Sequence, residues 1–268
     1  MVTAVCSRIW LIGGTGESAE LVRLLIASGI PCTVSVTTLS AQSLYPKSPL
    51  VRVWVGRLSA DELPKFLQDE SIRAILDASH PFAVEISRLA IATAQQLSLP
   101  YLRFERPALT LSQAETIPHT LDSLLNSNIL EGHRVLLTLG YRWLEKFRPW
   151  QARATLFARI LPSPEALTMA LAAGFTADRL IALRPPISAD LERALWEQWQ
   201  ITCVVTKASG TPGGEAVKRE VAQTLGITLV VLERPWVEYP HQTDSLQVAL
   251  KICQQWWQTI SSGSKQIR

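Results

Sequence analysis

Gly13-Gly14-Thr15-Gly16-Glu17-Ser18-Ala19 stands between an apolar run, RIWLI at 8–12, and a stretch of helical periodicity. Gly14-x-Gly16-x-x-Ala19 fits the G-x-G-x-x-G/A spacing of dinucleotide-binding turns. Gly14 allows a tight turn, Gly16 lets backbone approach a pyrophosphate, and Ala19 permits close packing of helix on strand. A helix starting here aims unpaired N–H groups and partial positive charge at an anion. The acid that usually holds the adenosine ribose, about 20 residues further on, has no counterpart in SVTTLS at 35–40. That removes the usual NAD signature and favours NADP, whose 2′-phosphate repels a carboxylate. The hydroxyls of Thr37, Thr38 and Ser40, with Arg57, are candidates for that phosphate. Ordinary strand-end polarity explains the hydroxyls equally well.

Two further clusters follow apolar runs. In DASHPFA (77–83), Asp77 and His80 come after IRAIL at 72–76. Pro81 disfavours helical backbone at His80, which leaves the imidazole at a strand end, where functional groups of α/β proteins gather. There it can donate to a carboxylate or a nicotinamide amide, or serve as an acid. Alternatively, Asp77 or Ser79 caps the next helix and His80 only packs. In KASGTPGGEAVK (207–218), Lys207 precedes Ser209, Gly210, Gly213 and Gly214, a composition suited to an anion. The lysine comes before the glycines, so this is not a Walker A loop. Arg103, Arg106, Arg159 and Arg234 also fall at or just after predicted strand ends. Lys and Arg number 26 against 23 Asp and Glu, a net charge of +3. Clustered cations in so balanced a chain point to a small polyanion, unless each arginine is taken by a neighbour such as Glu105 or Glu233.

The elements that must position these groups alternate. Strands are predicted at 8–12, 32–37, 51–55, 72–78 and 100–104, and again at 134–139, 154–159, 179–183, 201–206 and 227–232. Helices fit between them at 17–28, 60–69 (Ser59 as N-cap), 82–97, 163–173, 189–199 and 214–225, with a last one at 243–258. On the 82–97 helix, Ile86, Leu89, Ala90, Thr93 and Leu97 form the expected inner face. Strand–helix alternation means an α/β protein with parallel sheets and right-handed crossovers.

DASHPFAVEISRLAIATAQQLSLPYLRFERP (77–107) resembles KASGTPGGEAVKREVAQTLGITLVVLERP (207–235), ending in the same Glu-Arg-Pro. A weaker echo pairs RIWLIGG (8–14) with RVLLTLG (134–140). We therefore expect two related Rossmann-like domains, 1–112 and 113–260, joined around 108–130, with a ligand cleft between them and a disordered tail at 261–268. At 268 residues, 47% hydrophobic and 18% charged, the composition is that of a folded globular protein.

Several classes fall away. There is no basic run for nucleic acid, no apolar stretch near the ~20 residues of a membrane span, and no zoned signal peptide at Met1–Arg8. The cysteines Cys6, Cys32, Cys203 and Cys253 are widely spaced, which suits reduced, mostly buried thiols in the cytoplasm. No histidines have metal-ligand spacing, so no metal is expected. The nine tryptophans read as core or partner packing. The oligomeric state stays open, and a monomer fits.

The combination LIGGTGES (11–18), DASHPFA with Ile86-Ser87, LRFERP (102–107) and KASG…GGEAVK…LGITLVVLERP (207–235) resembles the precorrin-6A reductase family, including the cobalt-precorrin-6A reductases of corrin-ring biosynthesis. The resemblance spans most of the chain, and DASHPFA is its most specific part. It implies two Rossmann-like domains, NADPH or NADH as cofactor, and reduction of one double bond in a polycarboxylate macrocycle. On that basis the cofactor is expected at Gly13, Gly14, Thr15, Gly16, Glu17, Thr37, Thr38, Gly56, Arg57, Asp77, Ala78 and Ser79. The tetrapyrrole is expected at His80, Pro81, Phe82, Arg103, Arg106, Arg159, Lys207, Ser209, Gly210 and Arg234. A hydride would pass from the nicotinamide C4 to the ring, with a proton at the adjacent carbon from His80, water or a substrate carboxyl. One departure is RVWVGRL at 52–58, where the family is often richer in glycine and this chain has only Gly56. Two other readings share the glycine turn: a different NAD(P)H-dependent reductase of a small anionic substrate, and a dinucleotide sensor without activity. A methyltransferase-like protein is disfavoured, because its adenosine ribose also wants the missing acid.

Overall fold

A computed structural model describes residues 7–109 and 116–263. The chain first lays down β1 (Arg8–Ile12), α1 (Gly16–Ala27), β2 (Cys32–Val36), α2 (Leu39–Gln42), β3 (Val51–Val55), α3 (Leu63–Asp69), β4 (Ile72–Asp77), α4 (Val84–Gln96) and β5 (Tyr101–Phe104). Every residue of β1 and β2 is buried, as expected for strands covered on both faces of a parallel sheet. Thr15 and Ser18 form a reciprocal capping box that starts α1. At the other end Gly29 takes a φ of 69° and Pro31 bars continuation.

The second run contains β6 (Thr116–His119), α5 (Leu121–Leu125), β7 (Arg134–Leu137), a 3-10 helix (Tyr141–Ala152), β8 (Thr155–Ile160), α6 (Pro164–Ala172), β9 (Leu180–Ala182), α7 (Ala189–Gln198), β10 (Cys203–Lys207), α8 (Glu215–Leu225) and β11 (Thr228–Leu232). Ser163 and Ser188 cap α6 and α7. The chain ends with β12 (Gln242–Thr243) and α9 (Leu246–Gly263).

All strand pairs are parallel. One sheet runs β12-β5-β4-β1-β2-β3 and the other β6-β11-β10-β7-β8-β9. The orders correspond position by position, and β1, β4 and β5 match β7, β10 and β11, the strands that the sequence repeat paired. The outermost places are filled crosswise. The strand after β5 in sequence joins the second sheet, and the strand after β11 joins the first.

The chain divides into one unit of described residues 7–107 and 236–263 and another of 108–109 and 116–235. The expected boundary at 112/113 shifts to 107/108, and residues 236–260, expected in the second domain, belong to the first. The reason is packing. β12 receives Arg103 N–H at His241 O and Glu105 N–H at Thr243 O. α9 buries Ala249 and Cys253 completely in the core formed by α1, β1 and β2, with Leu246, Leu250, Trp256 and Trp257 packed around them. The helix is legible in sequence, but its apolar face says nothing about which sheet it covers.

Other differences are local. The 108–130 join contains β6 and α5, and α9 runs through 261–263 of the expected tail; residues 264–268 lie outside the described residues. α3 starts at Leu63 rather than near 60, and Ser59 caps the turn just before it, with Glu62 N–H donating to Ser59 Oγ at 3.3 Å and Ser59 N–H to Glu62 Oε2 at 3.0 Å. On α4 the buried residues are Ser87, Ala90, Thr93 and Ala94, whereas Leu97 is 47% exposed. Ile86 and Leu89 of the expected face are partly buried against the same core. Cys32, Cys203 and Cys253 are free and buried; Cys6 lies outside the described residues. No helix among the described residues is long and apolar enough to cross a membrane.

Candidate active site

In the first sheet the strand order reverses direction between β1 and β4, which opens the crevice where α/β sheets bind ligands. The Gly13-Gly14 turn and the Ala78–His80 segment meet there. Ala78 N–H donates to Ile12 O, and the Thr15 hydroxyl donates to Ala78 O, both at 3.0 Å. Gly14 has a φ of 103°, a conformation that favours glycine. Gly16 has no such need, and a Cβ built on it meets nothing within 4 Å. A glycine that neither conformation nor packing requires leaves room for a ligand, so the turn fits a dinucleotide phosphate.

The amides of this turn are not equally available. Gly14 N–H goes to the Tyr45 hydroxyl, Thr15 N–H to Ser18 Oγ, Ser18 N–H to Thr15 Oγ1 and Ala19 N–H to Thr15 O. The N–H groups of Gly16 and Glu17 remain for an anion. Arg106 Nη2 donates to Glu17 Oε2 at 3.0 Å and its Nε lies 2.9 Å from Oε1, an ion pair that neutralises an acid that would otherwise repel phosphate. Beside the turn, β2 and β3 end in register, with Gly56 N–H donating to Val36 O at 2.9 Å. The exposed residues Thr37, Thr38 and Arg57 follow directly. A Cβ at Gly56 would press on the Trp54 ring at 2.7 Å, so this glycine is required by packing.

Asp77 ends β4 fully buried. Its Oδ1 accepts from Ser79 N–H (3.0 Å) and Arg103 Nη1 (2.8 Å), and its Oδ2 from the hydroxyls of Ser87 (2.6 Å) and Tyr101 (2.8 Å). With four donors the carboxylate has no capacity left for cofactor, which corrects the binding role expected of its side chain. Arg103, also fully buried, donates besides to Ser79 Oγ and Glu105 and lies under the Tyr239 ring. It too is structural rather than a substrate cation. Burial drives the Tyr101 hydroxyl far above its ordinary range, and the charge of Asp77 adds to the effect. His80 is half-buried, and its Nδ1 accepts Phe82 N–H at 3.2 Å. In the neutral ring this sets the Nε2–H tautomer. Pro81 is buried and Phe82 half-buried, its ring 5.8 Å from the imidazole.

The second sheet reverses between β7 and β10. Here no α-helix begins. Gly140, at φ 78°, leads into the 3-10 helix, and Trp143 comes to lie under the Lys207 ammonium, 4.3 Å from its ring centre. Burial, with the charge of Arg142 second, pushes the Lys207 ammonium down to about 8. Ser209 is buried, and Gly210 N–H is spent on Glu215 Oε2 at 2.8 Å. The loop therefore offers fewer amides than its glycines suggest. Arg159 pairs with Glu192 at 2.6 Å, and half-buried Arg234 donates to Ala208 O. Of the strand-end arginines, Arg103, Arg106 and Arg159 are thus committed to acids; Glu105 is one of the neighbouring acids the sequence suggests, whereas Asp77, Glu17 and Glu192 are distant in sequence.

Sequence reasoning missed Tyr45, Arg142, Trp143 and the buried Lys218, whose ammonium donates to Gly213 O and Gly214 O. The RIWLIGG/RVLLTLG echo could have located Tyr141-Arg142-Trp143, which directly follow its glycine. Nothing in the pattern flags Tyr45.

Two Rossmann-like units, one carrying an open glycine turn at its crevice, form an architecture that nicotinamide-dependent oxidoreductases use among others. The precorrin-6x reductase family (CbiJ/CobK) matches residues 8–254. A cobalt-precorrin-6A reductase of Synechocystis sp. is 50% identical over 249 residues, 92% of this chain and 95% of that protein. One of Priestia megaterium is 31% identical over 236 residues, 86% and 92% of the two chains. A solved CobK precorrin-6A reductase shares the fold with a TM-score of 0.79, covering 94% of this chain and 98% of that one at 22% identity. The chain belongs to the precorrin-6x reductase family and is an oxidoreductase acting on a CH–CH group.

Asp77→Ala removes one acid from a buried arginine and is expected to cost about 3–5 kcal/mol. Urea unfolding measures this. Asp77→Leu combined with Arg103→Met removes both charges and is expected to cost less than Asp77→Ala alone; an equal or larger loss would contradict the pairing.

Proposed function

We propose that the chain reduces cobalt-precorrin-6A with NADPH, the pyrophosphate held at the Gly13–Glu17 turn and the 2′-phosphate by Thr37, Thr38 and Arg57. The observation that carries the cofactor assignment is the pairing of an open Gly16 with exposed hydroxyls and an arginine after β2 and β3, where no acid stands. The cobalt form follows the name of the relative at 50% identity.

When bound, the nicotinamide supplies the hydride; the protein's task is orientation and charge. Ala78 and Ser79 form the backbone edge beside the turn, and His80, Pro81 and Phe82 carry it toward the macrocycle. His80 acts as a hydrogen-bond donor through Nε2–H. Protonating its Nδ1 would set two N–H groups against each other at Phe82, so the turn disfavours an imidazolium acid. The proton for the ring carbon then comes from water or a substrate carboxyl. Lys207, on its Trp143 platform, takes a ring carboxylate together with the half-buried Arg234, and Ser209 lies beside it. Burial strengthens such a charge-assisted contact.

Anaerobic NADPH oxidation with cobalt-precorrin-6A and precorrin-6A, repeated with NADH, tests the whole reading. Oxidation that does not depend on the macrocycle would defeat it. Gly16→Val is expected to keep the melting temperature and raise the NADPH KM more than tenfold, whereas Arg57→Ala raises KM for NADPH and not for NADH. His80→Asn, which keeps a donor, is expected to retain most turnover, and His80→Phe to lose it; the reverse order would restore the acid.

The ammonium form of Lys207 binds a carboxylate, and that form is lost as pH rises through about 8. Macrocycle KM should therefore climb across this window. In Lys207→Met it should be high and flat, with the NADPH KM unchanged. A step that survives the substitution would assign it to another group.

A further inference from the structure

Tyr45 lies on the connection between β2 and β3, 7% exposed, and no feature of the sequence marks it. Its hydroxyl is 2.7 Å from Gly14 N and 2.7 Å from Ser18 Oγ. The donors can be assigned by elimination. Gly14 N–H donates to the Tyr45 oxygen. The Ser18 hydroxyl hydrogen is spent on Thr15 O at 2.6 Å, so Ser18 Oγ can only accept from Tyr45. The Thr15 N–H fills the remaining lone pair of Ser18 Oγ at 3.0 Å. A directed chain results: Gly14 N–H to Tyr45, Tyr45 O–H to Ser18, Ser18 O–H to Thr15 carbonyl. Every member is satisfied, and the Thr15 hydroxyl, which accepts Ser18 N–H, separately donates to Ala78 O just after β4.

Tyr45 also explains Gly13. A Cβ there would collide with the Tyr45 hydroxyl and lie 2.8 Å from Val34 Cγ1. Gly13 is thus a glycine so that the tyrosine can reach Gly14. Burial raises the Tyr45 hydroxyl above its ordinary range, which keeps it a neutral donor in this chain.

We infer that Tyr45 is a positioning residue of the cofactor turn. It takes the Gly14 amide out of competition for phosphate and holds the Gly16 and Glu17 amides as the pair that meets the pyrophosphate. It stands on the same connection as Thr37 and Thr38, so one segment orients both phosphate sites. The inference rests on the cofactor reading above and adds a residue that does not touch the ligand.

The test uses the full-length enzyme and the variants Tyr45→Phe, Gly13→Ala and their combination. Cofactor affinity is read by fluorescence and by KM for NADPH and NADH. Removing the hydroxyl orphans one buried N–H and one acceptor, so Tyr45→Phe is expected to raise KM for both cofactors by the same factor, about tenfold. kcat at saturating cofactor and KM for the macrocycle should stay within about twofold, because a turn that is only misaligned is rescued by excess cofactor. Gly13→Ala displaces the ring and should give a similar rise, and the double variant should lose no more than the worse single one. An unchanged cofactor KM in Tyr45→Phe would overturn the inference. So would matching losses in kcat and macrocycle affinity, which mark a residue that serves only the fold. If the unaltered enzyme binds neither cofactor, both this inference and the cofactor reading fail; normal binding there with an unaffected Tyr45→Phe defeats the inference alone.

Discussion

The buried pair Asp77–Arg103 is the constraint on which the first unit's site depends. The two residues sit at the carboxyl ends of adjacent strands, β4, which borders the crevice, and β5. The 2.8 Å contact has both side chains at most 1% exposed. Two charges taken out of water are tolerable only when every remaining valence is filled. The fillers are the parts that shape the site: the Ser79 amide and hydroxyl, Ser87 of α4, Tyr101, Glu105 and the Tyr239 ring. Satisfying the pair thus fixes the loop between β4 and α4, and with it the direction of His80. The acid nearest the active-site loop is therefore spent on holding that loop in shape.

The same logic sorts the strand-end cations. Near-neutral overall charge with many arginines reads as provision for a polyanion, yet Arg103, Arg106 and Arg159 each meet an acid in a mostly buried setting. A buried guanidinium needs a carboxylate whether or not a ligand comes. Lys207 differs in kind. Its ammonium rests on an aromatic face, and burial together with the nearby Arg142 charge shifts it toward neutrality. A cation in that condition gains most from an arriving carboxylate.

The two units show how one topology supports two chemistries. Their sheets share an order, and the crevice lies at corresponding places. In the first unit a capped α-helix follows β1, so backbone amides face the crevice. In the second a 3-10 helix follows β7 and sends aromatic and basic side chains there instead. The change from Gly-Thr-Gly-Glu to Gly-Tyr-Arg-Trp after the turn replaces the start of an α-helix with a 3-10 helix that carries aromatic and basic side chains.

What sequence alone determined is what local chemistry determines. The period of apolar residues marked nearly all the strands and helices, because a parallel strand buried on both faces reads as one continuous run. The glycine turn and the duplicated Ala-Ser…Glu-Arg-Pro frame identified paired Rossmann-like units, because both depend on neighbours along the chain. Short or low-contrast pieces escaped: α2, α5, β6, β12 and the 3-10 helix with Pro149 have too few residues, or too mixed a period, to show one. Only the tertiary structure decided where α9 docks, which arginines are neutralised, and that Tyr45 seats the turn. Those outcomes join residues such as Glu17 and Arg106, or Gly14 and Tyr45, that are far apart in sequence. Burial, which sets the cost of an unpaired polar group, exists only once the chain has closed around them.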